Sequence, residues 1–279
     1  MRLPFRAWLL AAAILAATAA AALAGPAPLA FEERGAGSPT IVLVHNIGGD
    51  RSDWSAVAAR LAARHRVLLV DLPGHGSSPA PAGDPTVRSA AASLAKTLSD
   101  RRVDHAILVG HSYGALVALQ AALDQPKRVA AVVVVDAATY TPPDSERIAQ
   151  ADRVLRERYS VFLSAVYESM ASTEAEGESL VAHAERVPQP ILTAYFHDVW
   201  REDLRPRLRS LKTPVHVVAT RELWPEAESW VSARKRLGYE TAGPVEGHRM
   251  LDSKHMVAFE QPDSLAGIIE SVALGASRR

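Results

Sequence analysis

The sequence predicts an α/β fold in which a mostly parallel central sheet is flanked by helices and interrupted by a helical cap insertion. Short runs of consecutive apolar residues recur along the chain and alternate with longer amphipathic segments. Such runs are typical of strands buried on both faces of a parallel sheet, and the alternation favours right-handed crossovers. From residue 142 to about residue 205 the strand-like runs stop, and apolar residues recur at helical spacing instead.

The individual elements follow from the same patterns in chain order. A glycine- and proline-containing turn at residues 35–39 ends a short edge strand, and Gly238 ends a helix as a C-cap. The predicted strands are residues 29–33, 40–44, 67–71, 107–109, 129–135, 215–219 and 245–251, and the predicted helices outside the insertion are residues 54–63, 88–99, 115–123, 229–237 and 264–274.

The insertion contains six of the 16 Phe, Trp and Tyr residues of the chain. Aromatic side chains at these positions are typical of a lid over an apolar pocket, although single rings can also serve only to pack the insertion onto the body. The rings are those of Tyr159, Phe162, Tyr167, Tyr195, Phe196 and Trp200. We therefore divide the chain into a signal peptide (1–24), the first part of the core (25–141), the cap (142–206) and the second part of the core (207–279).

The first 24 residues have the pattern of a secretory signal. Arg2 and Arg6 precede an uncharged apolar run over residues 7–21, and Ala22-Leu23-Ala24 forms a cleavage signal before Gly25. We expect removal after Ala24 and a secreted or periplasmic protein. An uncleaved membrane anchor is the alternative, since the two kinds of segment overlap in hydrophobicity.

The charge balance and the cysteine content of the chain indicate which kinds of molecule it binds. The 279 residues include 31 basic and 31 acidic side chains, a balance that favours neither nucleic acid nor a polybasic membrane contact. Cysteine is absent, which excludes disulfides and thiolate metal sites. We expect a small-molecule substrate, no cofactor, no metal, and no stable membrane association after signal cleavage.

Residues 110–114, GHSYG, join a predicted strand to a predicted helix through a serine. Glycines on each side of the turn remove the Cβ atoms that would collide when a strand reverses into a helix. The helix that follows directs its free N–H groups and its positive dipole end at an oxyanion that forms near the serine. We interpret Ser112 as a nucleophile.

A serine hydroxyl needs a base to take its proton and a third group to orient that base. His255, in a loop just past the last predicted strand, is the predicted base, and His248 inside that strand is the alternative. We expect His111 to be directed away from Ser112. His45 and His75 are expected to brace loops through hydrogen bonds.

Four ordered motifs together resemble the α/β-hydrolase superfamily. They are HNIGG at residues 45–49, DLPGHGSS at 71–78, GHSYG at 110–114 and SKHMVAFEQP at 253–262. The order nucleophile, acid, histidine is also that of the superfamily. The resemblance implies an oxyanion hole formed by the backbone N–H groups of Ile47 and Tyr113. Asn46 departs from the usual glycine, but asparagine tolerates left-handed backbone better than other side chains do.

The resemblance leaves two candidates for the acid. In similar proteins the acid usually follows the strand at residues 215–219, where Glu222 is the nearest carboxylate. Proteins resembling haloalkane dehalogenases take it from the end of the preceding strand, where this chain has Asp136. Asp136 could also serve only as an acceptor of backbone N–H bonds.

The sequence therefore predicts an exported serine hydrolase that acts on a small ester, lactone or amide through an acyl-enzyme on Ser112. Serine in place of aspartate at the turn argues against dehalogenase or epoxide hydrolase chemistry. The alternative is a ligand-binding sensor or carrier on the same fold with little turnover. Asn46 and the missing aspartate near Glu222 favour that alternative, whereas Ser112 and His255 favour the enzyme.

Overall fold

The computed structural model describes residues 25–276, so the predicted signal peptide lies outside the described residues. Within this part of the chain, one seven-stranded sheet has the strand order 1-3-2-4-5-6-7. The strands are β1 (Phe31–Arg34), β2 (Ile41–Val44), β3 (Val67–Val70), β4 (Ala106–His111), β5 (Val129–Val135), β6 (Val215–Thr220) and β7 (Val245–Met250). β1 pairs antiparallel with β3, and the other neighbouring strands are parallel.

Helices cover both faces of the sheet, which confirms the predicted fold class. They are α1 (Ser55–Leu61), α2 (Val87–Asp100), α3 (Tyr113–Asp124), α4 (Ser145–Glu157), α5 (Tyr159–Met170), α6 (Glu174–Ala184), α7 (Gln189–Arg201), α8 (Arg205–Leu208), α9 (Trp230–Arg236), α10 (Val257–Glu260) and α11 (Pro262–Ala276).

Alternate side chains of β2 point into two separate cores. Ile41 and Leu43 pack with residues of α1 and α11, while Val42 and Val44 pack with residues of α2 and α3 on the other face. A strand between two apolar layers has no solvent face, and this explains why β2 appears in the sequence as an unbroken apolar run.

Helices α4 to α8 lie between β5 and β6, where the sequence predicts the insertion. An isolated bridge pairs Tyr140 with Asp203 at its base, and the Thr141 hydroxyl donates to the carbonyl of Val199, 2.7 Å away. The domain boundaries drawn from the sequence stay predictions. No helix among residues 25–276 combines the length and the apolar character needed to cross a bilayer.

Two local predictions differ from the structure. The helix expected over residues 54–63 is split into a 3₁₀ helix at Arg51–Trp54 and α1, because the Asp50 side chain accepts the N–H of Ser52 and starts the chain turning earlier. The short helix α10, directly after the histidine loop, was not predicted. Four residues are too few to show helical periodicity in a sequence.

Candidate active site

Ser112 lies in a sharp turn between β4 and α3. Its backbone is left-handed, with φ 52° and ψ −118°, a conformation that costs on the order of 1–3 kcal/mol in a residue other than glycine. Its N–H donates to the carbonyl of Val135, 2.9 Å away, which ties the turn to the end of β5. The half-buried side chain lines a cavity. The turn therefore holds the serine hydroxyl at a cavity wall.

Glycine is required on both sides of Ser112. A Cβ on Gly110 would lie 2.2 Å from the carbonyl oxygen of Gly114, and a Cβ on Gly114 would lie 2.4 Å from the carbonyl oxygen of His45. These separations are far inside van der Waals contact, so any larger residue would push the strand and helix apart. The predicted steric reason for the two glycines is confirmed.

The Asp136 carboxylate joins His255 to the sheet. Asp136 follows β5 in left-handed backbone with φ 48° and is buried. Its Oδ1 accepts the N–H of Thr220 at 2.9 Å, and its Oδ2 lies 2.7 Å from Nδ1 of His255. The pairing assigns the imidazole proton to Nδ1. The buried Nε2 of His255 has no hydrogen-bond partner within the described residues, so it can accept a proton.

Glu222 occupies a different environment from Asp136. It is exposed in the turn after β6, and no hydrogen bond joins it to His255 in the described part of the chain. Asp136 reaches the histidine loop because β5 lies directly beside β6, with Val135 paired to Val218. Of the two carboxylates considered from the sequence, the structure brings Asp136 to His255; which of them acts stays a prediction.

His111 and His248, the two other histidines considered near Ser112, do not pair with Asp136. His111 is buried, and its ring centroid lies 4.6 Å from that of His255. Burial holds the pKa of His111 well below its usual value, so a neutral ring packs against His255. This contact was not predicted. His248 lies in β7, with Nε2 3.3 Å from Nδ1 of His216.

The two predicted oxyanion donors are backbone N–H groups at the ends of neighbouring segments. Tyr113 begins α3, where first-turn N–H groups have no partner inside the helix. Ile47 lines the same cavity as Ser112, and its N–H makes no hydrogen bond within residues 25–276. Left-handed backbone in this loop falls on Gly48, with φ 78°, rather than on Asn46. The tolerance of asparagine for that conformation is therefore not needed.

His45 and His75 brace the loop at residues 45–49, as predicted; we call it the oxyanion loop because it contains the proposed donor Ile47. Nε2 of His45 accepts the N–H of Leu72 at 2.8 Å, and Nε2 of His75 accepts the N–H of Gly48 at 3.1 Å. Burial lowers the pKa of His45 to about 4 and that of His75 to about 3. Both rings therefore stay neutral, which leaves Nε2 free to accept.

A cavity of about 530 Å³ adjoins Ser112 beneath the insertion. Four of the six aromatic residues proposed as a lid line it, whereas Tyr159 and Tyr195 do not. The Tyr195 hydroxyl instead donates to the carbonyl of Pro73 at 2.8 Å, which packs the insertion onto the body. Side chains from three cap helices form most of the wall; among them are Ile148, Ala151, Phe162, Val166, Phe196 and Trp200.

An imidazole of the cap contacts the segment that follows the oxyanion loop. His183, at the end of α6, has Nε2 2.7 Å from Oδ2 of Asp50 and Nδ1 3.5 Å from Oδ1 of Asp53. The hydrogen bond to Asp50 raises the pKa of His183, and burial raises the pKa of Asp53 to about 7. The contact spans more than 100 residues of sequence, so no local pattern could have revealed it.

Two groups of side chains in the described chain have donor atoms close enough to hold a metal ion. One is Asp50, Asp53 and His183, and the other is His216, Glu246 and His248; within each group the donor atoms lie within 4.8 Å of one another. Nε2 of His183 already pairs with Asp50, so a protonated imidazole satisfies the first group without an ion.

The sequence profile of the alpha/beta hydrolase family matches residues 41–268. Among curated proteins, 106 residues are 39% identical to the dihydrolipoyllysine-residue acetyltransferase component of an acetoin cleaving system from Cupriavidus necator, covering 38% of this chain and 28% of that protein. A match of 180 residues at 31% identity covers 63% of this chain and 66% of a protein from Escherichia coli O157:H7 that is provisionally named carbamate hydrolase RutD. The chain thus spans less than two thirds of the length of either relative.

Solved structures share the fold over most of their length. A thermophilic esterase from Thermogutta terrifontis superposes with a TM-score of 0.74 at 22% identity, covering 89% of this chain and 93% of that chain. The enol-lactonase from Burkholderia xenovorans superposes with a TM-score of 0.73 at 21% identity, covering 88% and 95%. At these identities the likeness concerns the fold alone.

Comparing Asp136→Asn with Glu222→Gln separates the two candidate acids. A triad acid holds the histidine tautomer and stabilises the imidazolium, so Asp136→Asn should lower kcat by about 10⁴-fold, as in a serine protease. Glu222→Gln, a matched loss of one charge in an exposed turn, should leave kcat within about twofold of wild type, a difference of only ~0.4 kcal/mol. The reverse pair of results would assign Glu222. Melting temperatures of both variants control for folding.

His183→Gln tests the cap contact through its pH dependence. A histidine whose pKa is raised on folding contributes its full stability below the unfolded value of about 6.5, and this contribution is lost as the pH rises through the folded pKa. At about 1.5 kcal/mol for a hydrogen bond between charged groups, the variant should melt about 3–6 °C lower than wild type at pH 6 and much closer to it at pH 9. Equal melting differences at the two pH values would contradict a charged contact.

Proposed function

The chain belongs to the alpha/beta hydrolase family, and from this premise we propose that it is a serine hydrolase that cleaves a small carboxylic ester, lactone or amide. The observation that carries the proposal is the Asp136–His255 pair. With the proton on Nδ1, the buried Nε2 of His255 has a free lone pair and no hydrogen-bond partner among residues 25–276. A serine in a strained turn lies next to a cavity large enough for a small molecule.

In the proposed mechanism, Oγ of Ser112 attacks the carbonyl carbon of the substrate while Nε2 of His255 takes the hydroxyl proton. Asp136 holds Nδ1–H and stabilises the imidazolium that results. The carbonyl oxygen becomes an oxyanion, to which the N–H groups of Ile47 and Tyr113 donate. The oxyanion then collapses, the bond to the leaving group breaks, and His255 returns its proton to that group.

The second half of the reaction repeats these steps with water. His255 takes a proton from a water molecule as its oxygen attacks the acyl carbon on Ser112. The second oxyanion collapses, the bond to Oγ breaks, and Ser112 regains a proton from His255. A carboxylic acid leaves, and no oxidant, reductant or metal enters this sequence. The relative named as a carbamate hydrolase adds carbamates to the substrates worth assaying.

A ligand-binding protein with little turnover is the second candidate. Asn46, in place of the usual glycine, is the observation that favours it. This side chain is buried beside Ile47, and its Oδ1 has no partner among the described residues. A buried amide oxygen without a partner costs free energy, and a bound ligand that donates a hydrogen bond to it would recover that cost.

Ser112→Ala and His255→Ala test the enzyme. Ser112→Ala should abolish both hydrolysis of p-nitrophenyl esters and labelling by a fluorophosphonate probe, because the attacking oxygen is gone. His255→Ala should lose nearly as much but keep residual activity from the oxyanion donors. Circular dichroism checks that both variants stay folded. Undiminished turnover in either variant would refute the mechanism, and ligand binding without probe labelling of wild type would favour the second candidate.

We also propose export with cleavage after Ala24, which the arginines and apolar run of the N-terminal segment support. The mature chain should then begin at Gly25, and N-terminal sequencing or intact mass of the protein from the culture medium or periplasm measures this directly. Recovery of uncleaved chain in the membrane fraction would instead identify an anchor.

A further inference from the structure

We propose that the cavity beside Ser112 binds an uncharged, apolar group of the substrate, so that the substrates are hydrophobic esters with a chain of about ten carbons. This proposal rests on the proposed hydrolase function and adds the substrate class. The apolar group in question lies away from the scissile bond, and it can belong either to the acid or to the alcohol of the ester.

The first argument is the chemistry of the cavity wall. Hydroxyl groups that could bind a polar substrate are already engaged: Tyr167 donates to the carbonyl of Ile47 at 2.9 Å, and Thr141 donates to the carbonyl of Val199. Asp144 and Arg147 line the cavity but are exposed residues at the start of the cap. Burying a charged or hydrogen-bonding group against the apolar side chains of the cap helices would leave it unpaired, at a cost that an alkyl group does not carry.

The second argument is that the wall is rigid. The rings of Phe162 and Phe196 meet edge to face, with centroids 4.9 Å apart and planes at 84°. Trp200 contacts both rings, with each centroid separation 6.2 Å. Packed aromatic rings from two helices cannot move independently, so the cavity should impose a definite upper limit on chain length.

The third argument is size. A molecule of liquid water occupies about 30 Å³, so a cavity of about 530 Å³ holds on the order of 18 non-hydrogen atoms. The ester group and the leaving group fill part of this volume, which leaves room for a chain of roughly ten carbons. Each buried methylene is worth ~0.8 kcal/mol, so kcat/KM should rise about fourfold per carbon until the cavity is full.

The test measures kcat/KM along two ester series. One series varies the acid from acetate to dodecanoate with p-nitrophenol as the leaving group, and the other varies the alcohol from ethanol to dodecanol with acetate as the acid. A steep rise followed by a fall in either series supports the proposal and identifies which side of the ester the cavity holds. A flat dependence in both series overturns it.

Ala151→Phe and Ala149→Phe form a matched pair on α4. Ala151 lines the cavity, whereas Ala149 is exposed on the same helix. Phenylalanine at position 151 should shorten the preferred chain by at least two carbons. Phenylalanine at position 149 should change neither that preference nor the turnover of acetate esters. An unmoved optimum in a folded Ala151→Phe variant would overturn the proposal.

A second pair of variants on α5 provides the same test if Ala151→Phe does not fold. Val166 lines the cavity and Val161 is 45% exposed. Val166→Phe should shorten the preferred chain and Val161→Phe should not. Failure of this inference is distinguishable from failure of the proposed function. A protein that hydrolyses every ester equally well overturns only the inference, whereas one that hydrolyses no ester and resists the fluorophosphonate probe refutes the hydrolase itself.

Discussion

The arrangement of the candidate site depends on the two hydrogen bonds that the side chain of Asp136 makes. One oxygen accepts the N–H of Thr220 at the end of β6, and the other pairs with His255 in the loop after β7. A single buried side chain thus fixes two segments that come from different parts of the chain. Its left-handed backbone, like that of Ser112, is tolerable because neighbouring strands hold the chain on both sides.

The insertion reaches the same region through hydrogen bonds rather than apolar packing alone. Tyr167 donates to the carbonyl of Ile47, and His183 pairs with Asp50 three residues further on. The cap therefore holds the loop whose N–H group is a proposed oxyanion donor. Movement of the cap would alter both the cavity and this donor, so the proposed substrate binding and the proposed oxyanion stabilisation would be linked through the cap.

The sequence predicted the sheet, its flanking helices and the helical insertion, because buried parallel strands leave unbroken apolar runs. It could not rank Asp136 above Glu222, since the contact with His255 depends on which strands are neighbours and on the register that pairs Val135 with Val218. The packing of His111 on His255 was missed for the same reason. The two glycines around Ser112, by contrast, allowed the sharp turn to be predicted, because the need for space without a Cβ atom arises within a few residues of sequence.

The surroundings of His255 determine where positive charge can develop. His45, His75 and His111 are buried, and none of them pairs with a carboxylate in the described part of the chain. Burial lowers the pKa of each, so protonating any of them is unfavourable. His255 alone among these four rings faces a carboxylate across 2.7 Å. In the proposed mechanism, the proton of the Ser112 hydroxyl therefore has one favourable acceptor among these four rings. The three neutral rings make the loops more rigid and do not compete for that proton. Different histidines therefore position the oxyanion loop and take part in the chemistry proposed at Ser112.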